Sequence, residues 1–185
     1  LTEKTLSQSD NQRSEEETRA GYVTFVGRPN AGKSTLLNQL VGEHLSIVTP
    51  KAQTTLQRVT GILTLDQDQL IFLDTPGILE ARDLLQRAML GAAHEALNEA
   101  DVVVLVVDTT TPPRDREVES LMAALQETSA PVLAALNKVD SASGEAVEAW
   151  ADWIAENLGV ESYRIAAING DGTTELLTAM RQALP

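Results

Sequence analysis

Cysteine is absent from all 185 residues, so disulfides, thiolate metal sites and cysteine nucleophiles are excluded. That suits a reducing compartment, and a cytoplasmic location is the expectation. Histidine is nearly absent as well: His44 and His94 stand apart with no neighbouring His or Cys, so neither is expected to bind a metal. Positive charge is scarce, 14 Lys and Arg against 27 Asp and Glu, for a net charge of −13. An acidic surface repels a phosphate backbone, and direct nucleic-acid binding is not expected from these residues. Any phosphate must be held locally, by backbone amides, a lysine and a metal. No run approaches the roughly 18 apolar residues that would span a bilayer. Association with a membrane surface stays open.

The opening stretch, "LTEKTLSQSDNQRSEEETRA", lacks the basic-then-apolar order of a signal peptide. It reads as a disordered polar tail over residues 1–20, with Glu15, Glu16 and Glu17 as a solvated charge run. One folded domain is expected over 21–185, a length that can bury its own core. The chain starts on leucine and stops at "RQALP", which reads as part of a longer protein.

Within 21–185, apolar β-branched runs alternate with helical patterns, which predicts a mostly parallel sheet with helices on both faces. The run "VVVLVVD", Val102 to Asp108, is apolar until its last residue, as in a strand covered on both sides. Between "VTGILTL" and "LIFLD" the connection, Asp66 to Gln69, is too short for a helix. Those two strands are expected to form an antiparallel hairpin. Trp150 and Trp153 lie at helical spacing in "EAWADWIAENL" and read as core packing. "TTTPPRDREVE" reads as a loop with Asp115 as helix N-cap.

The chemistry begins at "GRPNAGKS", residues Gly27 to Ser34, which fits G-x-x-x-x-G-K-[ST] between a strand and a helix. Gly27 and Gly32 let the backbone curl, so that the amides of Asn30, Ala31, Gly32, Lys33, Ser34 and Thr35 can face phosphate oxygens. The helix N-terminus adds partial positive charge. Lys33 is expected on the β and γ phosphates, and the Ser34 hydroxyl on magnesium. A second element, "LIFLDTPG", ends a strand in Asp74, a candidate magnesium ligand, with the Gly77 amide placed for a γ phosphate. Alone, Asp-Thr-Pro-Gly is also an ordinary turn; its place after the phosphate loop gives it meaning.

A third element, "ALNKVD", chooses the base. The Asp140 carboxylate only accepts hydrogen bonds, which matches two donors on guanine and none at the same edge of adenine. Asn137 helps bind the base and ties its loop to the phosphate loop, while the Lys138 stem packs along the ring.

With these motifs in this order the chain resembles the translation-factor-related GTPases, and more narrowly the Era family of ribosome-assembly GTPases. "IVTPKAQTTLQRVTGI" is the telling stretch, since it is similar to the Era first switch. The resemblance implies a P-loop NTPase G domain: α/β, with a six-stranded, mostly parallel sheet, one antiparallel strand and helices on both faces. It implies GTP and GDP as ligands with Mg2+, and Thr55 as a magnesium ligand in the GTP state. Leu56 departs from the family's arginine. In the last motif, "IAAING" aligns Ala166, Ala167 and Ile168 with the Ser-Ala-x of relatives, and the Ala167 amide is expected on guanine O6.

Hydrolysis by water is the expected reaction, at a slow intrinsic rate. Ile78 stands where Ras-type GTPases carry a water-orienting glutamine, and no general base is evident. Lys33, Asn30, Thr55 and Gly77 are the candidate catalytic groups. Asn30 matches an asparagine that helps hold potassium in several related GTPases; a plain turn-stabilising asparagine is the other reading. The γ phosphate is expected to order residues 46–55 and 74–87, giving a switch. Two further readings stay open: an interaction module with negligible turnover, and a P-loop ATPase or kinase, which Asp140 disfavours. Era proteins continue into a KH-type RNA-binding domain. A link to the small ribosomal subunit and its RNA therefore belongs to the resemblance and not to these residues.

Overall fold

The computed structural model describes residues 18–42, 59–73, 97–113 and 116–185. Six strands form one sheet in the order β2-β3-β1-β4-β5-β6. These are β1 (Arg19–Val26), β2 (Val59–Leu65), β3 (Asp68–Leu73), β4 (Val102–Asp108), β5 (Val132–Asn137) and β6 (Ser162–Arg164). β1 runs parallel to β3 and β4, and β5 parallel to β4 and β6. Among the described strands only β2 pairs antiparallel, with β3, as the short connection requires. The connection is shorter than read from the sequence: β3 already starts at Asp68, and Asp66 turns the chain at φ 54°.

The helices whose bounds are described are α1 (Lys33–Gly42), α2 (Arg116–Glu127), α3 (Gly144–Leu158) and α4 (Thr173–Gln182). Alternation along β4 shows why both faces need cover. Val102, Val104 and Val106 join the layer containing Leu36 and Leu40 of α1 and Leu176 and Met180 of α4. Val103, Leu105 and Val107 join the other, with Met122 and Leu125 of α2 and Val147, Trp150 and Ile154 of α3. A period of two in the strand meets helices above and below, and burial of both layers drives the fold. Trp150 is 1% exposed and meets Trp153 edge to face, in the packing role the helical spacing predicted.

β1 begins at Arg19, two residues inside the stretch read as a polar tail. The cause is a buried carboxylate. Asp68, at the start of β3, receives Arg19 Nε at 3.0 Å and Arg19 Nη2 at 2.8 Å, so the neighbouring strand is extended to place the guanidinium. Arg181 of α4 donates to the same carboxylate at 2.8 Å and to Asp66 at 3.0 Å. Burial raises the Asp68 pKa, and hydrogen bonds from Arg181 and Arg19 outweigh it, leaving the carboxyl below its ordinary value.

β6 is also shorter than "YRIAAI" suggests. After Ile165, whose amide still donates to the Leu136 carbonyl at 2.9 Å, the backbone leaves the ladder. Ala166 forms one isolated bridge with Asp171, and Ile165, Ala166 and Ala167 are buried as a turn against α4's N-terminus. No described helix is long and apolar enough to cross a membrane.

Candidate nucleotide site

The carboxyl ends of β1, β4 and β5 lie side by side in the sheet, so the loops that leave them share one mouth. The first leaves β1 at Gly27, whose φ is 150° and where a Cβ would lie 2.2 Å from the Val106 carbonyl. Only glycine lets the loop pass this closely over β4. Asn30 continues the curl at φ 64°, and the Ala31 amide closes it on the Arg28 carbonyl at 3.2 Å. Gly32, at φ 102°, passes the Asn137 side chain: a Cβ there would lie 2.1 Å from Nδ2. α1 begins at the next residue, so the first-turn amides of Lys33, Ser34 and Thr35 have no intrahelical acceptor.

Lys33 folds back over this loop. Its Nζ donates to the Gly27 and Arg28 carbonyls, both at 2.8 Å. Burial lowers the Lys33 pKa, because a half-buried ammonium on neutral acceptors is poorly compensated. A cation in that state, beside helix-terminal amides, fits an anion such as a nucleotide phosphate. Ser34 and Thr35 are exposed at the same helix end, and the Ser34 hydroxyl is a hard oxygen donor suited to magnesium. Thr55, Leu56, Asp74, Gly77 and Ile78 lie outside the described residues, as do Glu15, Glu16, Glu17, His44, His94 and Asp115.

The base side is built at the end of β5. Asn137, 2% exposed, donates from Nδ2 to the Ala31 carbonyl at 2.8 Å and accepts from the Ala167 amide at 3.0 Å. One side chain thereby connects the phosphate loop, its own strand and the turn after β6. The tie to the phosphate loop matches the expectation. The Ala167 amide, expected on guanine O6, donates in this structure to Asn137 Oδ1 at 3.0 Å. A buried amide and a buried amide oxygen satisfy each other here, as buried polar groups must. Ile168, next in line, is 77% exposed at the rim, and Ala166 is fully buried beneath it.

Lys138 takes φ 68°, which turns the chain out of β5 and sends its side chain to the Asp108 carboxylate at the end of β4. Asp140 is exposed at the mouth, where Ser141 Oγ donates to its Oδ2 at 3.0 Å. Thr109, fully buried, locks β4 to β5 by donating its amide, at 3.0 Å, and its hydroxyl, at 2.7 Å, to the Asn137 carbonyl. Asp108 and Thr109 escaped the sequence reading. The available signal was an aspartate closing an otherwise apolar parallel strand, the same position that made Asp74 a candidate.

Comparison with known proteins agrees with this geometry. The family model described as "50S ribosome-binding GTPase" matches residues 22–138. GTPase Era of Carboxydothermus hydrogenoformans is 39% identical over 168 residues, covering 90% of this chain and 56% of that protein. GTPase Era of Erythrobacter litoralis is 41% identical over 172 residues, with coverage of 90% and 56%. The chain therefore spans a little over half the length of these relatives. Among solved structures, Era in complex with MgGDPNP and nucleotides 1506-1542 of 16S ribosomal RNA superposes with a TM-score of 0.73 at 38% identity, over 91% of this chain and 58% of that one. The G-domain of Methanococcus jannaschii FeoB superposes with a TM-score of 0.64 at 30% identity, over 90% and 98%. Sequence, sheet order and the shared mouth lead to one assignment: this chain belongs to the 50S ribosome-binding GTPase family, with a G domain of the Era type.

Proposed function

We propose that this chain binds guanine nucleotides and hydrolyses GTP to GDP and phosphate, acting as the switch of an Era-like protein in small ribosomal subunit assembly. The observation that carries the reading is the Asn137 bridge, which brings "GRPNAGKS" and "NKVD" to one mouth with Asp140 at its rim.

Phosphates are held by the first-turn amides of α1 and by the Lys33 ammonium, which exchanges neutral carbonyl partners for anionic oxygens. Asp140 accepts from the guanine edge, where adenine offers no donor, so guanine is preferred. Lys138 lays its stem along the ring, and the turn of Ala166, Ala167 and Ile168 is read as meeting the base through the Ala167 amide and guanine O6. Ser34 binds magnesium, with Thr55 and Asp74 as its further ligands from the sequence. Magnesium held by these residues would supply positive charge to offset the negative charge that develops on the phosphates. Water attacks the γ phosphorus in line and GDP leaves, with Lys33 facing the β and γ phosphates and the Gly77 amide facing the γ phosphate. Asn30 is the residue that would help hold a potassium ion, which would supply further positive charge there. Residues 46–55 and 74–87 respond to loss of the γ phosphate.

The Era relative solved with 16S ribosomal RNA supports RNA of the small subunit as partner of the protein this domain serves. The acidic composition supports contact through other residues than these. The lack of cysteine supports a cytoplasmic setting.

The test is phosphate release from GTP with magnesium, in potassium and in sodium at equal ionic strength, beside competition by GDP and ADP for bound nucleotide. Release that is faster in potassium and competition by GDP alone support the whole reading. Competition by ADP at equal concentration overturns the base assignment. No release in either salt favours an interaction module instead, the alternative that Ile78 motivates.

A further inference from the structure

We propose that Asp108 is a positioning residue of the base site, anchoring the Lys138 ammonium so that its methylene stem lies fixed across the base and slows nucleotide release. The inference rests on the guanine-site reading above.

Lys138 is one of the most flexible side-chain types, and a stem that is to cover a ring must first lose that freedom. Its backbone is already turned out of β5 at φ 68°, and its Nζ meets Asp108 Oδ2. The anchor is itself held from three directions. Asp108 Oδ1 accepts from the Thr110 amide at 3.0 Å and the Thr110 hydroxyl at 2.5 Å. Its carbonyl accepts from the Thr111 amide at 3.2 Å and the Thr111 hydroxyl at 2.9 Å. The Thr111 carbonyl in turn accepts from the indole of Trp150 at 2.6 Å, so the "DTTT" turn is tied to the core of α3. Both partners keep some exposure, 34% for the Lys138 side chain and 17% for Asp108, as expected at the edge of a ligand site and not inside a core. Burial raises the Asp108 pKa, and the bonds from Lys138 and Thr110 more than offset it, so the group is held as a carboxylate.

The decisive measurement is a double-mutant cycle on the release rate of fluorescent N-methylanthraniloyl-GDP chased with GDP, using Asp108→Asn and Lys138→Met alone and together. A salt bridge that only supported the fold would lower the melting temperature of the nucleotide-free protein whenever either partner is removed, so each variant is also melted without nucleotide. A positioning role leaves that temperature within a few degrees of wild type while release speeds up. Asp108→Asn is expected to speed release about tenfold, the size of one hydrogen bond between charged groups. In the Lys138→Met background the same change is expected to add less than about twofold. Unchanged release in Asp108→Asn overturns the proposal, as does a tenfold effect that persists without Lys138. Should Asp108→Asn fail to fold by circular dichroism, Thr110→Val decides: it removes one support of the carboxylate and is expected to speed release about threefold, only while Lys138 is present. A wild-type protein that binds GDP no better than ADP would overturn the reading of the site itself, an outcome separate from any result of the cycle.

Discussion

The side-chain amide of Asn137 donates to the Ala31 carbonyl across 2.8 Å, joining residues 106 apart in sequence. Its oxygen meanwhile holds the Ala167 amide at 3.0 Å. Truncating this side chain to a methyl group would strand a buried carbonyl and a buried amide together. Asn137→Ala is expected to destabilise the nucleotide-free protein by about 2 kcal/mol and to weaken GDP binding by more than about tenfold. A thermal melt and a fluorescent-GDP titration check both numbers, and an unchanged titration would show that the two loops hold their places without this bridge.

Gly32→Ala tests the same junction from the loop side. The added methyl would lie 2.1 Å from Asn137 Nδ2 on a backbone at φ 102°. Strain of about 1–3 kcal/mol and displacement of the bridge are expected to remove measurable GDP binding while the circular dichroism spectrum persists. Gly42→Ala, at the open end of the same helix with nothing within 4 Å, is the control, and its binding curve should overlay the wild type.

Lys33→Met separates affinity from stability. The change removes two hydrogen bonds to carbonyls and also relieves the burial of a cation, effects of opposite sign. GDP affinity is expected to fall at least about a hundredfold, as befits loss of a charge-assisted phosphate contact in a sheltered site. The melting temperature without nucleotide should move by no more than a few degrees. A large drop in that temperature would mean that the lysine holds the loop together even without a phosphate.

Asp68 gives the pH dependence a sign. Its carboxyl sits below its ordinary value of 3.8, because the Arg181 and Arg19 bonds outweigh burial. A depressed carboxyl pKa stabilises the fold at pH values above the unfolded pKa, and that stability is lost as pH falls through the folded one. Asp68→Asn is expected to lose about 2 kcal/mol at pH 7, less than a fully buried pair would because the Arg19 and Arg181 side chains keep 35% and 29% exposure. Urea midpoints of wild type and variant should run parallel above about pH 5 and converge below about pH 4. A gap that stays constant down to low pH would remove the carboxylate from the account.

Much of the architecture was legible because it depends on local pattern. The uninterrupted run Val102–Val107 announced a strand covered on both faces, and the brief gap after Leu65 announced a hairpin. Gly27, Gly32 and Lys33 declared the phosphate loop through spacing alone, since its shape is set by backbone conformations that few other residues allow. Order along the chain then gave "NKVD" its meaning. Composition was enough to remove thiol chemistry.

Other features depend on partners distant in sequence, and these came from the packed chain. Arg19 read as tail until Asp68 and Arg181 met it, because a buried carboxylate needs cations that no local rule can locate. The Ala167 amide donates to Asn137 Oδ1, because a buried acceptor binds the nearest donor that the folded backbone offers, and no local motif announces that pairing. Asp108 looked like the end of a strand, and its role follows from the parallel alignment of β4 and β5, which sets it opposite Asn137 and within reach of Lys138. Motif and periodicity are carried by neighbours along the chain, so they can be read one stretch at a time. Pairing of polar groups across 30 to 113 residues is settled only when burial strips them of water and each must find a protein partner.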